Sequence, residues 1–219
     1  MADCATCDAA GCPRRESGLP PGMAERYDLE APRSDGFLAW IETDRDTEGL
    51  PSVSEASKEV LGMLGGLCDG RLWGIVFGHA ELKPLYPEIF SYGVETLYEV
   101  HSRDLVEFDL RPYAEAIAQI AERTKPALIA MADTEKGRML AQAIPLKERR
   151  GLALGCSSVD VGLCGLRADT DLGPVVRDGF PQVITVKPGS HPAAPEGACR
   201  QGTVDRKSTR LNSSHLAES

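Results

Sequence analysis

The chain has 219 residues, 42% of them hydrophobic and 26% charged, with a formal charge of -9. That suits a full domain with its own core; the acidic balance argues against wrapping nucleic acid, and no apolar run reaches the ~20 residues of a membrane helix. The seven cysteines do not read as a secreted disulfide framework, and the opening MADCATCD lacks a basic-then-apolar leader, so a cytoplasmic location is expected.

Residues 1–36 are polar, rich in Gly, Pro and charge, and read as a loosely ordered extension. Cys4, Cys7 and Cys12 lie within it, spaced C-x2-C-x4-C. Thiolates so spaced can grip zinc or part of an iron–sulfur cluster. Three ligands are one short of a closed tetrahedral site, and Cys68, Cys199 or a partner's residue would have to supply the fourth. The competing reading is a tail with reduced thiols.

Phe37 to Glu42, FLAWIE, is the first expected strand, apolar until its last residue. A charged loop from Thr43 to Pro51 follows. Ser54 suits an N-cap, and Ala56, Val60, Met63, Leu64 and Leu67 then form one helical stripe, weakened by Gly65 and Gly66. Leu72–Gly78 is the second strand, and His79 stands in its exit loop, where a solvated role is the usual one. Leu82–Tyr92 is a short helix candidate, disturbed by Pro87 and closed by Gly93. Thr96–Val100 is the third strand.

Leu110–Thr124 carries the clearest helical pattern, with Tyr113, Ile117, Ile120 and Ala121 on one face and Pro112 in the first turn. Ala127–Ala132 is a buried strand. Asp133 and Thr134 then offer caps, and Gly137 and Arg138 open a helix that stops near Pro145. Cys156–Val161 is a further strand, Leu163–Asp171 is ambiguous, and Val183–Lys187 is the last strand. His191–Gly202 reads as a linker. Residues 203–219, TVDRKSTRLNSSHLAES, show no apolar periodicity. They resemble a translated sequencing adapter joined to a gene fragment, are expected to lie outside the fold, and leave the natural chain continuing past Gly202.

Strands alternating with helices predict a three-layer α/β/α fold on a mostly parallel sheet, of nucleotide-binding type. The strong nucleotide and nucleophile motifs are missing: there is no G-x-G-x-x-G, no G-x-x-x-x-G-K-S/T and no G-x-S-x-G. Cys156 lies beside Ser157 and Ser158 with no acid–His pair to activate them, so a core thiol is the simpler reading. Thr134, Gly137 and Arg138 form the best polar cluster, where free N–H groups and a guanidinium can meet an anion or a partner carboxylate. Nothing there performs acid–base or covalent chemistry unaided.

The order of short motifs resembles the N-terminal domain of the electron transfer flavoprotein alpha subunit family. WIE at Trp40–Glu42 ends the first strand, IVFG at Ile75–Gly78 the second, and YGVETLYEV at Tyr92–Val100 spans the third. Tyr113 and Ala114 open the next helix. Thr134, Gly137, Arg138, Leu140 and Ala141 match T-x-x-G-R-x-L-A. Gly151, Leu152 and Cys156 follow, and Pro181 to Gly189 matches P-Q-x-x-T-V-R-P-G with Lys187 for Arg. Met139, where the family has Asp, and the rewritten segment LRADTDLGPVVRDGF mark a divergent branch.

The resemblance implies a family domain over residues 37–189, a linker over 190–202, and a heterodimer with a beta subunit. FAD would relay electrons between a dehydrogenase and an acceptor protein. Most of the FAD site would lie in a C-terminal domain beyond this chain, so the fragment would retain FAD poorly; AMP would belong to the partner subunit. The resemblance favours an electron-carrier subunit over a self-contained enzyme. The alternatives are an adenine-nucleotide-binding α/β enzyme and a metal-binding scaffold.

Overall fold

The computed structural model describes residues 36–45, 50–67, 71–78, 82–101, 108–145, 151–162, 165–195 and 202–208. Eleven strands and four α-helices fill them: β1 (Phe37–Trp40), β2 (Thr43–Arg45), β3 (Pro51–Val53), α1 (Glu55–Leu67), β4 (Leu72–Gly78), α2 (Tyr86–Ser91), β5 (Thr96–His101), α3 (Leu110–Thr124), β6 (Leu128–Ala132), α4 (Glu135–Ala143), β7 (Gly151–Val161), β8 (Gly165–Thr170), β9 (Gly173–Asp178), β10 (Gln182–Val186) and β11 (Thr203–Ser208).

Nine of the strands form one sheet in the order β11-β5-β4-β1-β6-β10-β7-β8-β9. The first seven in that order run parallel, and β8 and β9 extend the sheet antiparallel. Buried on both faces, β1 and β6 read as continuous apolar runs rather than alternating ones, and β10 is fully buried with Gln182 and Thr185 among its apolar residues. Successive side chains feed two cores. Leu38, Trp40, Ile129 and Met131 pack with α3 and α4, whereas Ala39, Ile41, Leu128 and Ala130 share the other core with α1 and α2. The three-layer α/β/α architecture is therefore as the sequence predicts.

Local chemistry sets the element ends. Ser54 Oγ accepts from Ser57 N at 3.2 Å, so α1 begins where the cap was expected. Asp109 caps α3, and Lys125 closes it with φ 49°. Ile144 leaves α4 with ψ 116°, the extended geometry demanded of a residue before proline.

Several expectations need correction. Pro87 does not disturb a helix over Leu82–Tyr92; it sits in the first turn of α2, after a 3-10 turn at Lys83–Leu85. A proline costs nothing where an N–H has no helical partner. The expected Thr43–Pro51 loop begins with β2, which pairs antiparallel with β3. β7 starts five residues before Cys156, and the ambiguous stretch after it is β8, followed by the unforeseen β9. The linker is docked at its start: Ala194 is buried and its N–H donates to Lys58 O at 2.9 Å. Thr203–Ser208, expected outside the fold, pairs along the whole of β5.

Candidate functional site

The strand order reverses at β1: the chain proceeds to β4 and β5 on one side, then returns to β6 on the other. In open parallel sheets such a reversal leaves a crevice at the carboxyl ends of the two central strands, the usual ligand position. Here those ends are followed by Glu42 and by Asp133–Thr134.

Thr134 is the N-cap of α4, with φ -80° and ψ 169°, and its Oγ1 accepts from Gly137 N at 3.0 Å. The same hydroxyl donates to Glu42 Oε2 at 3.0 Å. Lys136 Nζ lies 3.5 Å from Glu42 Oε1. Gly137 is required by space: a Cβ there would run into the carbonyl oxygen of Ala132. The Glu42 backbone is equally fixed, its N–H donating to Ser57 Oγ at 2.8 Å and its carbonyl accepting from Ser54 N at 3.0 Å.

Beside this clasp lies a second one. Asp133 accepts from Arg138 Nε at 2.8 Å, from Arg138 Nη2 at 2.5 Å and from Thr185 Oγ1 at 2.5 Å. Its side chain is 3% exposed and that of Arg138 52%. Burial pushes the Asp133 carboxyl upward, but the hydrogen bonds from Arg138 and Thr185 and the guanidinium charge together hold it below the usual range. Thr185 Oγ1 also accepts from Gly155 N at 2.8 Å. A Cβ at Gly155, whose φ is +66°, would stand 3.5 Å from Asp133 Oδ2, 3.7 Å from Asp171 Oδ2 and 3.9 Å from Arg138 Nη2. Asp171 in turn pairs with Lys187 at 2.6 Å. Arg138 is thus held by a buried carboxylate at the rim of the crevice, with half its surface open.

Nucleophilic chemistry has no basis in the described residues. Cys156 is buried, its Sγ 3.7 Å from Ala153 O. Burial, with some help from the Asp133 charge, pushes its thiol up to about 12. Ser157 and Ser158 donate to the Asp169 carbonyl and carboxylate, not to a base. Tyr113, whose hydroxyl is pushed up to about 12 by burial and then by Glu42 and Asp109, is set for packing: its ring stacks on Phe77 at 3.9 Å.

The structure therefore places Thr134, Gly137 and Arg138 together at the start of α4, with Glu42, Thr185, Asp171 and Lys187 in the same contact network. Glu42, to which the sequence reading gave no role at the site, had one signal: like Asp133, it is the first carboxylate after an apolar strand. Cys4, Cys7, Cys12, Cys68, Cys199 and His79 lie outside the described residues. No group of three metal-ligating side chains gathers among the described residues, and no helix there is long and apolar enough to cross a membrane.

Residues 52–210 match the family model of the electron transfer flavoprotein domain. The chain is 28% identical over 188 residues to "Electron transfer flavoprotein subunit alpha" of Thermoanaerobacterium thermosaccharolyticum, covering 81% of this chain and 56% of that protein. It is 29% identical over 85 residues to "Lactate dehydrogenase (NAD(+),ferredoxin) subunit LctC" of Acetobacterium woodii, covering 39% of this chain and 19% of that one. It is also 29% identical over 125 residues to "Protein FixB" of Bradyrhizobium diazoefficiens, covering 54% and 33%. The chain spans little more than half the length of the first of these relatives and less of the others.

Proposed function

Because the chain belongs to the electron transfer flavoprotein domain family, we propose that it is the first domain of an alpha-type subunit. Assembled with a beta-type subunit, the full-length protein passes electrons through FAD between a dehydrogenase and an acceptor protein. The observation that carries this reading is the family match over the α/β body, together with relatives whose names describe an electron transfer flavoprotein subunit and a dehydrogenase subunit.

The described residues do not fit FAD. A dinucleotide's pyrophosphate needs free N–H donors and close backbone approach at the crevice. Here two carboxylates, Glu42 and Asp133, stand at that position and take up hydroxyl and cationic donors around it. We therefore assign no electron-transfer step to a residue of this chain. Its part in the reading is scaffolding: Asp133 orients Arg138, and the open half of Arg138 is offered to a carboxylate of the partner subunit.

The adenine-nucleotide enzyme reading draws less support, since the same carboxylates oppose phosphate and no acid–base pair adjoins them. The test is co-expression of the 219-residue chain with a beta-type subunit from the same genome. A one-to-one complex is expected, weakened in the Arg138→Ala form, while the chain alone purifies without flavin absorbance. Stoichiometric FAD on the chain alone, or no complex with the beta-type subunit, would overturn the assignment.

A further inference from the structure

The misfit between the crevice and a phosphate-bearing cofactor has a specific cause. We infer that Glu42 is an internal occupant that keeps the switch-point crevice shut, so that this domain is a nucleotide-type fold closed by its own side chain. The closure goes beyond the subunit assignment and rests only on the strand order and the contacts of Glu42.

Those contacts come from the starts of two helices, α1 and α4. The backbone of Glu42 is tied to α1 and its cap through Ser57 Oγ and Ser54 N. Its carboxylate takes the Thr134 hydroxyl at 3.0 Å and faces Lys136 at 3.5 Å. The side chain is only 13% exposed, so it fills the crevice rather than overhanging it. The hydroxyl it engages is already accepting from Gly137 N. α4 also sits close on the end of β6, where Gly137 leaves no room for a Cβ against Ala132 O.

An entering phosphate would therefore have to displace a hydrogen-bonded carboxylate and take its hydroxyl and ammonium partners. It would also face the second carboxylate, Asp133, whose partners Arg138 and Thr185 are already engaged. Juxtaposing like charges in a partly desolvated site opposes binding.

The closure is tested by titrating inorganic phosphate, and separately AMP, into the 219-residue chain, Glu42→Ser and Glu42→Gln. Calorimetry gives affinity, and the amide resonances of Lys136 and Gly137 report position. The native chain is expected to bind either probe only weakly, with half-saturation above the millimolar range. Glu42→Ser, which removes both charge and bulk, should bind phosphate about tenfold more tightly than the native chain, with shifts at those two amides; Glu42→Gln, which removes charge alone, should gain about threefold. Should Glu42→Ser fail to fold, the folded Glu42→Gln form decides. Native binding as tight as that of the variants, or no gain in a folded variant, overturns the closure. Neither result bears on the complex with a beta-type subunit, so the two readings fail separately.

Discussion

Asp133 accepts hydrogen bonds from Arg138 and Thr185 through a side chain that is almost fully buried, and its stability contribution has a defined sign. Its folded pKa is lowered, so the carboxylate binds its proton less readily in the folded chain than in the unfolded one. Stability from such a group is fully present above the ordinary carboxylate range, near pH 4, and is lost as pH falls through the lowered folded value. Asp133→Asn leaves Arg138 and Thr185 without an ionised acceptor. Hydrogen bonds to charged groups are worth about 1.5–3 kcal/mol each, so the variant should lose about 2 kcal/mol at pH 7. The gap between native and variant should narrow as pH falls below about 4, where the unfolded chain takes up the proton first, and close only as pH passes the lowered folded value. Urea unfolding at pH 7 and at pH 3 measures both. A gap of the same size at the two pH values would mean that Asp133 acts through shape rather than charge.

Glycines in α1 separate local propensity from tertiary packing, because neighbours in one helix should respond with opposite signs. Gly65 and Gly66 are exposed, and a Cβ at either meets nothing within 4 Å. Alanine there should stabilise by roughly 0.5–1 kcal/mol per site. Gly62 faces the segment after β10, and a Cβ would strike the Pro192 carbonyl. Gly62→Ala should therefore destabilise by about 1–3 kcal/mol, the cost of overpacking, in the same thermal melts. A stabilising Gly62→Ala would show that the 190–195 segment does not dock on α1. Only part of this contrast is legible in the sequence. The stripe Val60, Met63 and Leu64 and the cap at Ser54 are local, so α1 and α3 can be placed from periodicity, and the strands β1, β4 and β6 from short apolar runs bounded by turn residues. The constraint on Gly62 comes from residues about 130 positions away and leaves no local trace. The candidate site divides the same way: Thr134, Gly137 and Arg138 declare themselves through capping chemistry. Glu42, 92 positions from Thr134, joins them only because strand order sets β1 beside β6. The polar strands β8 and β9 are hidden for another reason: paired antiparallel at the sheet's edge, they need no continuous apolar run.

At the scale of the whole sheet, the two edges are finished differently. One side ends in the antiparallel pair β8–β9, braced by Lys187 on Asp171. The other ends in β11, a polar strand lying parallel to β5 in unbroken register from Thr203↔Thr96 to Ser208↔His101. Arg123 ties this edge to α3, with Asp205 at 2.5 Å and the Tyr98 ring centroid at 5.0 Å. The ion pair is exposed and contributes at most about 1 kcal/mol, so backbone pairing is what holds β11. In a parallel strand, the N–H and C=O of one residue point to the same side and those of the next residue to the other. A chain ending at Gly202 should therefore show alternation along β5. Amides that face β11 lose their acceptors and should exchange at least about tenfold faster, while those bonded to β4 stay protected. Hydrogen exchange resolved by NMR distinguishes the outcomes. Uniform acceleration would mean that β11 stabilises β5 as a whole rather than covering its edge, and unchanged exchange would remove β11 from the sheet. Alternation would also mean that the shortened chain exposes β5, TLYEVH, as its edge in place of the more polar β11, TVDRKS, and so offers a more apolar template for pairing with another chain. It should then self-associate at lower concentration than the 219-residue chain.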